Sequence, residues 1–356
     1  MTTTKRFSKF QRPTEKDKGR VSDRDLDIIA AVLRYRFSPA SELVRLVGGN
    51  EDVTQRRLRR LWEWEIINRF AFPTLRSHSE FYYYLDNRAG LELLTDHRGF
   101  QVHPAALEEI DNNREKDYAQ AAVRGQHMQL GFLKHSLQIS RFHFMLEMAC
   151  RKSAGKIALA AWHQGSLLAG HKVEVLTIKS ERHAGNEYLW QETDHKKLLP
   201  VEPDGLFTLR FPDRPAEQQL AHFFYEADRG TMNSTDMLTK MRAYYHFIKK
   251  QQRHKEAFGV HPIRAVLVET TEEQRAVKLM QLAEHPLVSG AGKRAGLFWF
   301  CISPLFTDPE KGSPLPRYLD KPEAILDPIW ALPDRTMHRL ADEENSPVHS
   351  GQAGGP

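Results

Sequence analysis

The sequence has little cysteine and no long apolar run. Cys150 and Cys301 are the two cysteines among 356 residues, and each lies in an apolar stretch. Two isolated cysteines make neither a disulfide framework nor a CxxC metal site, so buried free thiols are expected. No apolar run is long enough to cross a bilayer, and residues 1–20 lack the apolar core of a secretory signal. These absences predict a cytoplasmic protein.

Two catalytic patterns are also missing from the sequence. It contains no Gly-rich GxxxxGK[ST] loop of the kind that holds nucleotide phosphates, which argues against an ATP-driven motor. No Ser-His-Asp arrangement is recognisable either. Function has to be inferred from local patterns of charge and hydrophobicity.

Positive charge is concentrated at the N-terminus. The chain has a formal net charge of +5, and residues 1–20 hold seven basic side chains against two acidic ones. The rest of the chain is therefore close to neutral. A basic tail of this kind is expected to be disordered in isolation. It serves either to attract phosphate groups non-specifically or only to solubilise the chain.

The chain length suits two domains with tails, and the fold class predicted is multi-domain α/β. The segments predicted are a basic tail (1–20), a winged helix-turn-helix (21–100), a helical linker (101–126), a mixed-sheet α/β domain (127–306), and an irregular, largely disordered C-terminal tail (307–356). This division follows from the periodicity of apolar residues and from turn signals.

Three helical patterns followed by two short strands predict the winged helix. Ser22 is expected to cap the first helix, Ser38-Pro39 opens the second, and the third runs from about Asp52 to Asn68. On the third helix the polar side chains Gln55, Arg56, Arg59 and Arg60 share the outer side. Since a helix fits the major groove and Arg pairs with guanine edges or phosphates, these residues are expected to contact double-stranded DNA.

Arg76 and His78 lie at the predicted tip of the wing, where they would reach a neighbouring phosphate. The same helical face also suits a protein docking module, because residues 21–100 hold twelve basic and twelve acidic side chains and are not cationic as a whole. The clustering of arginines on the third helix favours DNA. No heptad pattern indicates a dimer helix, although winged-helix proteins often bind DNA as dimers.

Acidic residues mark two strands of the second domain. Asp204 begins one strand, and Glu226 and Asp228 end the apolar run of the next. Residues two apart on a strand share a face, so the three carboxylates would converge if the strands are neighbours. Oxygen ligands of this kind bind Mg²⁺ or Mn²⁺, which activates water for phosphodiester hydrolysis. The alternative is that each acid is paired with a nearby Arg or Lys.

Pro203-Asp204 followed by Glu226-x-Asp228 resembles the bipartite motif of PD-(D/E)xK nucleases. More closely, the segments PDGLF, FYEADRGT and LTKMRAYYHF resemble the replication-relaxation family of plasmid and mobile-element proteins. The similarity extends over about residues 22–305, and its most specific part is Glu226–Thr231. It implies a restriction-endonuclease-like second domain and a role in replication, relaxation or mobilisation of plasmid DNA.

One position departs from the nuclease motif. Asp228 stands where the motif has a lysine, and Lys240 on the following helix is expected to supply that charge. Glu147 on the first long helix of the domain is a further candidate metal ligand.

Two hypotheses stay open: a metal-dependent DNA nuclease or nickase, and a DNA-binding adaptor or transcriptional regulator with a degenerate nuclease fold. Replication or conjugation proteins are the expected protein partners.

Overall fold

The structure is a computed structural model of the chain. It describes residues 11–13, 19–71, 80–112, 116–117, 119–120, 127–182, 188–290, 296–302 and 317–342. The chain divides into two compact units, the first comprising Met1–Phe144 with Thr307–Asp320 and the second Met145–Phe306 with Lys321–Pro356. Helices and strands occur in both, which confirms the predicted multi-domain α/β class.

The first unit begins with three helices and a small sheet. Its elements are α1 (Asp23–Tyr35), β1 (Ser38–Pro39), α2 (Ala40–Val47), α3 (Glu51–Glu63), β2 (Asn68–Phe70), β3 (Tyr82–Tyr84), α4 (Ala89–Arg98) and α5 (Pro104–Asp111). The three strands form an antiparallel sheet in the order β1-β3-β2. The three helices followed by β2 and β3 have the order that the sequence predicts, whereas the two-residue strand β1 between α1 and α2 is not predicted. The amphipathic helices bury Ile28, Leu43 and Leu61 in a common core.

A long helix, α6 (His127–Lys152), has residues in both units. Leu133 and Leu137 of α6 join a buried cluster with Phe37, Phe70 and Tyr84 of the first unit. The division at Phe144 differs from the boundary predicted before His127. Apolar residues continue without a break along α6, so periodicity alone gives no signal for the division.

The second unit is built on a seven-stranded mixed sheet in the order β12-β11-β10-β9-β8-β7-β4. The strands are β4 (Ala158–His163), β7 (Gly205–Arg210), β8 (Leu220–Asp228), β9 (Ile263–Thr270), β10 (Phe298–Ile302), β11 (Trp330–Ala331) and β12 (Met337–His338). β8, β9 and β10 are parallel, whereas β7 runs antiparallel to β8. β8 is buried along almost its whole length, as expected for a central strand.

Helices and a hairpin pack on this sheet. The helices are α7 (Ser234–Tyr245), α8 (His254–Phe258), α9 (Glu273–Glu284) and α10 (Pro286–Ser289), and a π-helical turn (His246–Lys250) follows α7. β5 (Lys172–Arg182) and β6 (Tyr188–Pro200) form a separate antiparallel hairpin. Val173 and Leu199 of the hairpin share a core with Leu238 of α7 and Val266 of β9.

Three predicted segments differ from the structure. Residues 317–342, expected to be irregular, contain α11 (Arg317–Asp320), a 3-10 turn (Pro322–Leu326) and strands β11 and β12. Ile110 of α5 is buried in the first core, although the sequence predicts a linker over residues 101–126. Arg12, within the predicted disordered tail, donates from Nε to the Trp62 carbonyl at 2.9 Å. Strands as short as β11 and β12, and a single anchoring side chain such as Arg12, leave no periodic pattern in the sequence from which they could be predicted.

A buried ion pair fixes α3 against α1. The Arg57 guanidinium donates to both carboxylate oxygens of Asp25, at 2.5 Å from Nε to Oδ1. Asp25 is wholly buried and also accepts from the Ser22 backbone N–H at 2.7 Å, at the start of α1. The Arg57 guanidinium also lies 5.5 Å from the ring centroid of Trp64. Arg57 is therefore part of the core of this unit.

Replacement of Arg57 by alanine is expected to destabilise the first unit by about 3–5 kcal/mol, because a buried carboxylate loses its cation. Arg59 is the matched control: its pair with Glu63 lies on the surface, and the Arg59 side chain is 66% exposed. Arg59→Ala should cost less than about 1 kcal/mol. Urea unfolding followed by circular dichroism measures both. Equal losses for the two variants would contradict the structural role of Arg57.

Candidate functional sites

The outer face of α3 is the first candidate site. The Asn50 side chain caps the helix by accepting from the Val53 N–H at 3.1 Å. Thr54, Leu58 and Leu61 of α3 are buried on the inner face of the helix. Gln55, Arg56, Arg59 and Arg60, the residues that the sequence predicts as DNA contacts, are all exposed. Their positions are one and four residues apart, so they share one side of the helix.

Weak local contacts hold three of these four side chains. Gln55 Nε2 donates to Glu51 at 2.9 Å, Arg59 Nε donates to Glu63 at 2.8 Å, and Arg56 Nε lies 3.3 Å from the Asp52 carbonyl. Pairs of this kind on a helix surface are worth only about 0.2–0.5 kcal/mol each. A phosphate or a base edge could therefore replace them at small cost.

The turn that leads into α3 is held by a second arginine. Arg24 Nη1 donates to the Gly48 carbonyl at 2.9 Å and to Thr54 Oγ1 at 2.8 Å. Gly49 has a φ of +73°, and a Cβ there would lie 2.4 Å from the Arg24 guanidinium. The tight turn therefore requires glycine, and it sets the position at which α3 begins. Arg76 and His78, predicted at the wing tip, lie outside the described residues.

The second candidate site lies where β7 and β8 meet. Gly205 of β7 is opposite Tyr225 of β8, which brings Asp204 beside the end of β8. Asp204 Oδ2 accepts from the Ala227 backbone N–H at 2.9 Å. Asp204 also lies close enough to Glu226 for its negative charge to raise the pKa of that carboxyl. Two of the predicted acids are thus brought together.

Glu226 is buried and both of its oxygens have donors. Lys240 Nζ donates to Oε2 and the Tyr244 hydroxyl donates to Oε1, from successive turns of α7. Burial raises the pKa of Glu226 to about 7, against the opposing effect of the Lys240 charge. Burial also disfavours the charge on Lys240, but the carboxylates of Glu226 and Asp204 outweigh it and raise the pKa of Lys240. Lys240 thus reaches the acid cluster, as the sequence predicts.

Asp228 is engaged by different partners. Arg275 of α9 donates from Nε and Nη2 to the two oxygens of Asp228, both at 2.9 Å. The Thr270 hydroxyl donates to Asp228 Oδ2 at 2.9 Å from the neighbouring strand β9. Both Asp228 and Arg275 are largely buried. The sequence gives no signal for Arg275, because only the parallel pairing of β8 with β9 brings its helix to Asp228.

These contacts do not fit the predicted binding of Mg²⁺ or Mn²⁺. Hard cations need several free carboxylate oxygens, whereas those of Glu226 and Asp228 are held by a cation each. Glu147 accepts from Arg151 at 2.9 Å on α6. Within the described ranges, no group of three or more His, Cys, Asp or Glu side chains is placed to hold a metal ion. The metal site stays a prediction that this geometry does not support.

The architecture defines a multi-domain α/β protein, and comparison of its sequence with known families identifies the family. A model of the replication-relaxation family matches residues 31–263, about two thirds of the chain. The chain belongs to the replication-relaxation family, which confirms the resemblance seen in its motifs and supports a role in replication or relaxation of plasmid or mobile-element DNA. No curated protein and no solved structure gave a match. No described helix is long and apolar enough to span a membrane.

Arg275→Ala is expected to destabilise the second unit by about 3–5 kcal/mol, since Asp228 would be left charged and buried without a cation. Lys278 is exposed on the same helix and provides the control. Lys278→Ala should change stability by no more than about 0.5 kcal/mol. The free energy of unfolding in urea measures both effects. A neutral Arg275→Ala variant would show that Asp228 does not depend on this pair.

Proposed function

We propose that the protein binds duplex DNA through the outer face of α3 and acts in plasmid or mobile-element replication or relaxation by binding rather than by cutting. In this proposal the first unit is a winged helix-turn-helix. α2, the glycine turn and α3 form the helix-turn-helix, and the sheet β1-β3-β2 forms the base of the wing. The exposed face of Gln55, Arg56, Arg59 and Arg60 is the observation that carries the proposal.

The orientation of the arginines on α3 supports this assignment. Arg57 is directed inward to Asp25, whereas Arg56, Arg59 and Arg60 remain outside. An arginine pairs with guanine O6 and N7 through two N–H groups, and a glutamine can pair with adenine in the same way. The exposed set therefore has the chemistry for reading base edges in the major groove. Acids on this helix lie in its first turn and at its C-terminal end.

The second unit then serves as a scaffold in this account. Each of the acids Glu226 and Asp228 is neutralised within the protein, by Lys240 and by Arg275. A divalent cation could bind only after these charge-assisted hydrogen bonds were broken, which costs several kcal/mol when one buried partner is removed. Strong internal pairing thus favours a structural role for the acids.

One observation favours a nuclease as the second candidate function. Asp204 directly precedes β7, and it is held close to Glu226 of β8 and Lys240 of α7, as the PD-(D/E)xK resemblance implies. A nuclease would need Lys240 and Tyr244 to release Glu226 when DNA and metal bind. Lys240 would then be free to stabilise the charge developing on the phosphate.

Arg56→Ala with Arg60→Ala should weaken duplex binding by at least about tenfold, since a bidentate arginine–guanine pair contributes about 1–3 kcal/mol. Fluorescence anisotropy with labelled fragments of the host replicon measures this change. The matched control is Arg88→Ala with Arg98→Ala, which removes two exposed arginines from α4 and the residue preceding it. Equal loss in both double variants would mean that α3 has no special part in binding, and absence of duplex binding by the wild type would refute the proposal.

A further inference from the structure

The second unit carries a group of positive charges that the acid cluster does not use. Lys249 and Lys250 end the π-helical turn after α7, and Arg253 and Lys255 follow within five residues. No acidic residue lies between positions 249 and 255. All four cationic side chains are exposed. This group is called the 249–255 patch below.

None of the four cations forms an ion pair with a described residue, in contrast to Lys196 and Arg242. Lys196 of the neighbouring hairpin pairs with Glu174 at 2.7 Å, and Arg242 of α7 pairs with Glu192. The 249–255 patch therefore leaves its positive charge available to a partner.

The segment that carries the 249–255 patch is held against β5 by two hydrogen bonds. Gln251 Nε2 donates to the Glu174 carbonyl at 2.8 Å, and Arg253 Nη1 donates to the Lys172 carbonyl at 2.8 Å, both on β5. Between the cations, His254 is buried, with Nε2 3.3 Å from Nδ1 of His261. An ordered segment loses less conformational entropy on binding than a free tail does. The four cations are thus presented from a defined surface.

Two of the four cations, Lys249 and Lys255, lie near the same histidine. Burial lowers the pKa of His254, and the charges of Lys255 and Lys249 lower it further, so both ammonium groups act on the same imidazole. Lysines in the last turn of a helix stabilise the partial negative charge of its C-terminus, which accounts for Lys249 and Lys250. That effect also applies to Lys255 in the last turn of α8, but it does not account for Arg253, which precedes α8.

We infer that the 249–255 patch is a second DNA contact, which binds the phosphate backbone of the duplex without reading its sequence. The inference rests on the proposed function. Exposed lysines suit phosphates, because an ammonium is a point charge with rotatable donors and no planar fork for a base edge. Outside residues 1–20 the chain has no net charge, so a polyanion is attracted there through local clusters such as this patch and the exposed arginines of α3.

The test uses the full chain and compares two variants in which four positive charges are removed. The patch variant is Lys249→Gln, Lys250→Gln, Arg253→Gln and Lys255→Gln. The control variant is Lys156→Gln, Arg210→Gln, Lys278→Gln and Arg335→Gln, at exposed cations spread along the second unit. Affinity for a short duplex of random sequence is measured by anisotropy over a series of salt concentrations, and melting curves establish that both variants are folded.

The slope of log K against log salt is the decisive quantity, since its magnitude decreases by about 0.9 for each phosphate that the protein no longer neutralises. The slope of the patch variant is expected to be smaller by about 2–4 units, and its affinity near physiological salt at least about tenfold weaker. The control variant should keep the wild-type slope. Equal slopes for the patch variant and the wild type would overturn the inference and leave DNA binding to α3. That result would also be obtained if the patch docks an acidic protein.

Failure of the proposed function is distinguishable from failure of this inference. If the wild type binds duplex and the Arg56 and Arg60 substitutions abolish sequence preference, the proposed function stands whatever the patch variant does. If the slope decreases equally in the patch and control variants, only total charge matters and the patch assignment fails. If the wild type binds no duplex at any salt concentration, both proposals are overturned.

Discussion

Every carboxylate buried in this protein must be neutralised or hydrogen-bonded, and that requirement determines which side chains remain available for function. An ionised carboxylate without a partner is too costly to bury in an apolar interior. Asp25 is satisfied by Arg57, Glu226 by Lys240 and Tyr244, and Asp228 by Arg275 and Thr270. Each pair joins two different secondary structure elements.

The same requirement separates structural from functional arginines. On α3, Arg57 pairs with the buried Asp25, whereas the other arginines of the helix remain on the surface. In the second unit, Arg275 pairs with Asp228 and Lys240 pairs with Glu226, and these are acids that a metal ion would need as ligands. Glu42 shows the limit of the rule: it is buried on α2, accepts from the Tyr318 hydroxyl at 2.6 Å, and burial raises its pKa to about 7. The hydrogen bond from Tyr318 lowers the pKa of Glu42, but the effect of burial is larger.

The sequence predicts the secondary structure elements better than it predicts the partners of the charged residues. Periodicity locates α3 and the buried strand β8, because amphipathic and wholly apolar runs leave distinct patterns. The sequence also predicts that Lys240, on the helix that follows Glu226, reaches the acids. It does not find Arg275, because the pairing of parallel strands brings together residues nearly fifty positions apart. Nor does it predict the partner of Arg57, since the buried acid that it meets lies on α1.

The expected convergence of three carboxylates shows the same limitation. Glu226 and Asp228 share a side of β8, as alternation predicts, but their partners come from two different helices. A strand pattern specifies the side on which a carboxylate lies and leaves its neighbours unspecified. Short strands such as β11 escape prediction for another reason, because Trp330 alone anchors them without any repeating pattern.

Incubation with supercoiled plasmid is the most direct test of binding without cutting. The wild type and Asp204→Ala are compared in Mg²⁺, in Mn²⁺ and in EDTA, and each mixture is divided between a mobility-shift gel and a deproteinised gel. If the protein binds without cutting, the first gel will show retarded plasmid and the second gel unchanged supercoiled plasmid, for both proteins and in every condition. Metal-dependent nicked or linear plasmid that appears with the wild type and not with Asp204→Ala would contradict binding without cutting and would place Asp204 in a metal-dependent nuclease site.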